Sequence, residues 1–376
     1  MNYLEKFPQD LQKKIEEIAN LLSVFTNRAY LVGGCVRDIL LNNKIKDLDI
    51  EVYDISPSDF DNIMQKYGAK GVGKTFFVYK IGDIDLALPR VERKVGIGHK
   101  AFEVEVVDDE QLASKRRDFT MNAMMVNIFD GKLFDFWAGH KSIENQTISL
   151  IDKNSFKEDS LRVLRAIQLS ARFGFEIEKQ TLEVMNEIDL SDLTKPRIFW
   201  EFEKLFYAQN LALGFVYMCR LNIFEKIFTC KINTNRISDI EKELKESIGR
   251  FVEELRPYYF FYIVANLSGF NALDWCKQIE TPLHYQRALK NQPFFSKDIN
   301  DKELLIIAID MPIKKWLGNY KKEIITRAKK LDIYESIYTG GITIQNIIAD
   351  GFEKEDIKIE YRRRVIRTIE EKFSLS

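Results

Sequence analysis

LVGGCVRDILLNNKIKDLDIEV, residues 31–52, decides how the first part of this chain is read. The apolar run Tyr30-Leu31-Val32 has the make-up of a strand and stops at Gly33-Gly34. Residues 36–41 have the spacing of a short helix, which Asn42-Asn43 closes. Leu48, Ile50 and Val52 then alternate with Asp47, Asp49 and Glu51, as in a half-buried strand. Side chains two apart on a strand share a face, so Asp47 and Asp49 stand side by side. Carboxylates that close repel unless a cation lies between them. Mg²⁺ suits the pair because it takes one or two carboxylates and fills its shell with water and substrate phosphates. Asp-x-Asp alone fits an exposed strand edge equally well. The Gly-Gly turn upstream, where backbone can approach a triphosphate, and Arg37 beyond it strengthen the functional reading. Asp85, in the alternating GDIDLA segment of residues 82–87, is a candidate third carboxylate; Asp83 shares its face by the same period, and either could face solvent.

Outward from this stretch, Leu11, Ile15, Ile18 and Leu22 predict a helix ahead of the first strand. A further helix is expected over 58–67 and strands over 75–81, 84–88 and 102–107, which together make a small mixed α/β region. From Ser155 onward the pattern is helical, with Leu161, Leu164, Ile167 and Leu169 on one face. Breaks at Gly174, Pro196, Gly214, Pro257, Pro282, Pro312 and Gly340-Gly341 divide the remainder into helical hairpins.

The chain has 376 residues, 45% of them hydrophobic and 30% charged, which excludes a disordered chain and a membrane bundle. Its 56 Lys+Arg balance 57 Asp+Glu, so the whole is no polycation, though this leaves room for a local basic surface. His99, His140 and His284 are scattered, with no HExxH spacing and no following Asp, so zinc-protease and HD-type phosphohydrolase chemistry lack their ligands. Cys35, Cys219, Cys230 and Cys276 form no CxxC pair and read as inert reduced thiols. The charged start MNYLEKFPQDLQKK has no apolar core of a secretory signal, and residues 257–273 read as a buried helix and not a membrane span. A cytoplasmic protein without membrane contact is expected. The clusters Lys314-Lys315, Lys321-Lys322, Lys329-Lys330 and Arg362-Arg363-Arg364 read as solvated faces or phosphate contacts.

A rival nucleotide site is written at Gly68-Ala-Lys-Gly-Val-Gly-Lys74-Thr75, which satisfies GxxxxGK[ST]. A P-loop needs a strand before its glycines and a helix after them. Here DFDNIMQKY before them is helical in spacing and FFVYKI after them favours a strand, so the order is reversed and the glycines read as a helix stop and turn.

Residues 31–52 resemble the first signature of the class II tRNA nucleotidyltransferases, the CCA-adding enzymes and their bacterial poly(A) polymerase relatives. Further blocks follow in that family's order: KRRDFTMNAM at 115–124 resembles RRDxTxNA, and EDSLRVLRA at 158–166 resembles EDxxRxxR. The likeness runs to about Phe206 and fades beyond it. It implies an α+β nucleotidyltransferase head of the polymerase β type over 1–140. A helical neck reading the base over 141–205 and a helical body and tail binding tRNA over 206–376 would follow.

The resemblance implies an enzyme that adds CCA to the 3' end of tRNA without a template, using CTP and ATP. Asp47 and Asp49 would carry two Mg²⁺ ions, with Asp85 as a further ligand. Gly34, Arg37 and Arg117 would hold the triphosphate, and Asp118 the ribose 2'-hydroxyl. Asp159, Arg162 and Arg165, spaced to line one helix face, would read the base. A carboxylate accepts from the exocyclic amine of cytosine or adenine and a guanidinium donates to the neighbouring ring nitrogen, whereas guanine and uracil present a carbonyl instead. Gln168 stands where many relatives have a further arginine facing the nucleotide, and the block at 135–139, DFWAG, lacks the family's proline. LPRVERKVGIGH at 88–99 reads as a mobile loop over the site; with Arg90 and Glu92 present, the resemblance favours an enzyme able to add the terminal A. KPRIFWEFEK at 195–204 resembles the family's last block, a supporting helix start. Addition of A alone, poly(A) synthesis, a P-loop NTPase and a non-catalytic RNA-binding module remain the alternatives.

Overall fold

Strand β1 (Ala29–Val32) is paired on both sides, antiparallel to β2 (Leu48–Val52) with Leu31 opposite Ile50, and antiparallel to β8 (Met125–Asn127) with Leu31 opposite Val126. The computed structural model describes residues 1–73, 77–94, 102–295 and 298–374. With β3 (Lys70–Gly73), β4 (Val78–Ile81), β5 (Ile84–Ala87) and β9 (Leu133–Phe134), these strands form a seven-stranded sheet in the order β3-β4-β5-β2-β1-β8-β9.

The pleat sorts this sheet into two unlike faces. Leu31, Leu48, Ile50, Val52, Ile84, Leu86 and Val126 share a core with Ile15, Ile18 and Leu22 of α1 (Gln9–Leu22), Val36 and Ile39 of α2 (Gly34–Leu40), and Phe60 and Met64 of α3 (Pro57–Lys66). Each such fully buried side chain contributes about 1.5–3 kcal/mol. Tyr30, Val32, Tyr53 and Met125 form a smaller cluster on the other face with Ala113 of α4 (Glu110–Lys115). Asp49, Glu51 and Asp85 alternate with the residues of the larger core, so the strand period turns them away from α1, α2 and α3.

Two sequence expectations change here. The loop expected over 88–99 begins as a strand: β6 (Arg90–Lys94) pairs antiparallel with β7 (Phe102–Val106), because RVERK and FEVEV carry matching period-two alternation. Gly96, Gly98 and His99 lie outside the described residues. At the rival nucleotide motif, α3 ends at Lys66, Gly68 turns at φ +70°, and β3 runs antiparallel to β4, so the glycines belong to a strand pair; Lys74 and Thr75 lie outside the described residues.

The chain divides into two compact units, Met1–Ser170 with Gly174–Leu193, and Ala171–Phe173 with Thr194–Ser376. The first also holds α5 (Gly139–Glu144), α6 (Lys153–Lys157), the start of α7 (Leu161–Phe173), α8 (Lys179–Asn186), and the short parallel pair β10 (Thr147–Ile148) and β11 (Glu176–Ile177). The altered block at 135–139 is structural. Asp135 accepts from the backbone N–H groups of Gly139 at 2.7 Å and His140 at 3.0 Å, and so caps α5.

The second unit is helical in its regular structure among the described residues. Helices α9 (Lys195–Phe206), α10 (Leu211–Arg220), α11 (Ile223–Phe228), α12 (Thr234–Ser247), α13 (Arg256–Ser268), α14 (Ala272–Gln278) and α15 (Leu283–Leu289) enclose an aromatic core that includes Phe202, Phe206, Phe228, Phe261 and Trp275. Helices α16 (Asp301–Asp310), α17 (Lys322–Lys330), α18 (Ile344–Ala349) and α19 (Glu355–Ser374) follow; Leu304, Leu305, Trp316, Val365 and Ile369 build a second core there. Gly214 is not a break, whereas Pro257 marks one, at a helix start. Pro257 sits in the first turn of α13, where its missing N–H is harmless. Gly214 lies inside α10, because a Cβ there would come within 2.9 Å of Ala171 Cβ. Among the described residues, no helix is long and apolar enough to cross a membrane.

Candidate active site

Strand register builds the acidic part of the site. Strands β2 and β5 are parallel with Asp49 opposite Asp85, while Asp47 is exposed just ahead of β2. Burial pushes the Asp49 carboxyl up, the charge of Arg117 opposes this, and Asp85, Asp47 and Glu51 push it further up. Asp85 Oδ1 is buried and makes no hydrogen bond, although Lys80 Nζ lies 3.3 Å away, near enough for charge pairing but misaligned. The structure separates the two candidates of the GDIDLA segment: Asp83 sits in the turn before β5 and pairs with Lys14 of α1 at 2.7 Å. Among the described residues, no three His, Cys, Asp or Glu side chains form a ready cage for a cation. The oxygen donors of Asp47 and Asp49, with Asp85 in register, fit Mg²⁺, which relies on water and substrate oxygens for the rest of its shell.

Gly33 is where acid and base meet. It has φ +74°, and a Cβ there would lie 2.9 Å from Arg117 Nη1 and 3.7 Å from Asp49 Oδ2. A bare turn, a guanidinium and a carboxylate thus converge on one point. Gly34 opens α2, and a Cβ on it would be 3.4 Å from Arg37 Nη2. Arg37 itself is only 5% exposed; its Nη1 donates to Asn122 Oδ1 at 2.7 Å and its Nε to Asp38 Oδ1 at 2.9 Å. It backs the glycine turn from inside.

Asp118 has partners on both carboxylate oxygens. Oδ1 accepts from Phe119 N–H at 2.9 Å and Asn122 Nδ2 at 2.8 Å, and Oδ2 from Arg165 Nε at 2.8 Å. Burial pushes its carboxyl up, but the charge of Arg165, the hydrogen bonds from Asn122 and Arg165, and the charge of Arg162 outweigh that and hold it at about 2. Asp38, Arg37, Asn122, Asp118 and Arg165 therefore form one continuous chain.

The expected single helix face of Asp159, Arg162 and Arg165 is corrected. Asp159 precedes α7, where its Oδ1 accepts from Leu161 N–H at 3.2 Å, while Arg162 and Arg165 lie on the helix. An Asp favours such a local turn over a helix interior. Arg162 donates through Nη1 to Ser155 O at 2.8 Å and through Nη2 to Arg116 O at 2.5 Å, so its guanidinium is pinned by backbone. Gln168, one turn past Arg165, is 5% exposed.

Two buried polar residues were not singled out from sequence. Glu51, 2% exposed, accepts at Oε1 from Arg116 Nη2 and Arg117 Nη2, both at 2.8 Å. Its signal was present as the third acid on the polar face of β2. Asn122 bridges Arg37 and Asp118; it stands in the KRRDFTMNAM block, which gave it no role of its own.

A family model for the poly A polymerase head domain matches residues 29–149, and one for the probable RNA and SrmB-binding site of polymerase A matches residues 174–230. The chain is 36% identical over 208 residues to a multifunctional CCA protein of Haemophilus ducreyi, covering 53% of this chain and 50% of that one. It is also 32% identical over 272 residues to a CCA-adding enzyme of Buchnera aphidicola, covering 64% and 65%. The chain carries a head domain of the poly(A) polymerase family over residues 29–149. It spans about half the length of the first curated relatives of that family it matches. The fold is that of solved CCA-adding enzymes. The Bacillus stearothermophilus enzyme in complex with CTP superposes with a TM-score of 0.67 at 18% identity, covering 97% of this chain and 94% of that one. The Thermotoga maritima enzyme complexed with tRNA gives 0.67 at 20% identity, covering 100% and 98%. The matched head region includes the segment that carries Gly33, Gly34, Arg37, Asp47 and Asp49.

Proposed function

We propose that this chain extends the 3' end of tRNA with C and A, taking the nucleotides from CTP and ATP in a Mg²⁺-dependent nucleotidyl transfer. The observation that carries the reading is the convergence on Gly33 of the Asp49 carboxylate and the Arg117 guanidinium, an acid for a cation beside a base for a phosphate. Asp47 and Asp49, with Asp85 beside them, would hold Mg²⁺, which would supply positive charge for the attacking hydroxyl and the leaving pyrophosphate.

The protein's own groups bind and orient. Arg117 faces the turn where a polyphosphate fits, and Arg37 holds that turn in shape from behind. Asp118 is placed to accept a ribose hydroxyl by sharing Oδ2 with Arg165. Asp159 and Arg162 supply the acceptor and donor that match the amine edge of cytosine or adenine. Residues 141–205 would act as the neck reading the base and 206–376 as the body and tail that hold tRNA.

Purified protein would be incubated with Mg²⁺ and tRNA ending before CCA, after C, or after CC, with labelled CTP or ATP. Extension that stops after CCA supports the proposal, and Asp47→Ala should abolish it. Long A tails would mark a poly(A) polymerase, and addition of A alone to the CC end would mark a partial enzyme; either result overturns full CCA addition.

A further inference from the structure

Glu51 is one of the most buried charged side chains on the polar face of the sheet, and it lies two residues along β2 from Asp49. One carboxylate oxygen takes a guanidinium from each of two consecutive arginines, Arg116 and Arg117, and the other accepts from Tyr53 Oη at 3.3 Å. Nη2 of Arg117 is spent on Glu51, while its Nη1 lies against the turn at Gly33. Arg117 Nε is buried with no hydrogen-bond partner. The backbone behind it is fixed as well, by Arg162 on the carbonyl of Arg116 and by Arg117 N–H on Ser114 O.

We infer that Glu51 is a positioning residue that sets the Arg117 guanidinium for the polyphosphate end of the nucleotide and keeps it from closing onto Asp49. This rests on the nucleotidyl-transfer reading above. A long arginine side chain loses much rotamer freedom when it grips a phosphate, and an anchor on its far nitrogen removes that freedom before the ligand arrives. Without the anchor, the nearest acid left to Arg117 is Asp49, whose charge a cation would need.

The test is equilibrium binding of CTP and of CMP, with Mg²⁺ present and tRNA omitted, to the wild type, Glu51→Gln, Arg117→Ala and the double variant, with melting temperatures recorded for each. Glu51→Gln should weaken CTP at least tenfold while CMP stays within twofold, and the double variant should match Arg117→Ala. Equal loss of CTP and CMP, unchanged CTP binding, or additive losses in the double variant would overturn the inference in favour of a plain structural ion pair. Should Glu51→Gln fail to fold, Glu51→Asp keeps the charge on a shorter stem; it should lower the CTP-to-CMP preference, and an unchanged preference counts against the inference. A wild type that binds neither nucleotide removes the nucleotidyl-transfer reading itself, a result distinct from wild-type CTP binding that Glu51→Gln leaves intact.

Discussion

Arg165 closes on Asp118 with two nitrogens, Nε at 2.8 Å and Nη2 at 2.7 Å from the same carboxylate oxygen. Phe119 and Asn122 occupy the other oxygen, so a ribose hydroxyl must share Oδ2 with Arg165. Leaving a buried polar group unpaired costs about 1–3 kcal/mol, roughly 5- to 150-fold in binding. Asp118→Asn should therefore cut the preference for CTP over dCTP at least about fivefold. Comparing kcat/KM for the two nucleotides checks it, and an unchanged ratio would place the ribose elsewhere.

The same carboxylate links stability to acid. Its folded value of about 2 lies below the ordinary 3.8, so its contribution is present above pH 3.8 and fades as the pH falls toward 2. The gap corresponds to roughly 2 kcal/mol. Glu51, held low by Arg117 and Arg116 against the upward push of burial, acts in the same direction. Urea midpoints measured from pH 5 to 2 should fall more steeply for the wild type than for Asp118→Asn.

Asp85 and Asp83 should separate cleanly. Asp85→Asn removes the carboxylate in register with Asp49 and should lower kcat at least tenfold at fixed Mg²⁺. Asp83→Asn disturbs its exposed, solvent-screened pair with Lys14 and should leave kcat within twofold. Equal effects would assign Asp85 no part in the chemistry.

Gly139 tests the altered DFWAG block. A Cβ there would collide with Thr120 O, and that oxygen belongs to backbone that cannot swing aside. Gly139→Ala should cost about 1–3 kcal/mol, read as a lower melting temperature. Nucleotide KM should stay near the wild-type value, since Asp135 of the block caps a helix.

Strands and helices with a strong local period were legible in advance: the two-residue alternation of Leu48, Ile50 and Val52 and the helical spacing of Ile15, Ile18 and Leu22 both became core faces. Residues whose role depends on distant partners were not. Glu51 was visible as an acid on a polar face, but its arginines come 65 and 66 residues later. Asn122 lies within the KRRDFTMNAM block, but its partner Arg37 stands 85 residues earlier. Gly214 looked like a break because its reason, contact with Ala171, is tertiary. The charged RVERK segment was read as a loop because its alternation becomes a strand only when paired with residues 102–106.

The hairpin between β4 and β5 turns in two residues, Gly82 at φ +62° and Asp83, with Ile81 opposite Ile84. That turn indexes the strand that follows. A slip by one residue would bring Ile84 or Leu86 beside Asp49 and drive Asp85 in among the helices on the far face. The spacing of charges at the site is thus counted out by a two-residue turn at the far end of the strand pair, and one residue inserted there should act as a catalytic lesion.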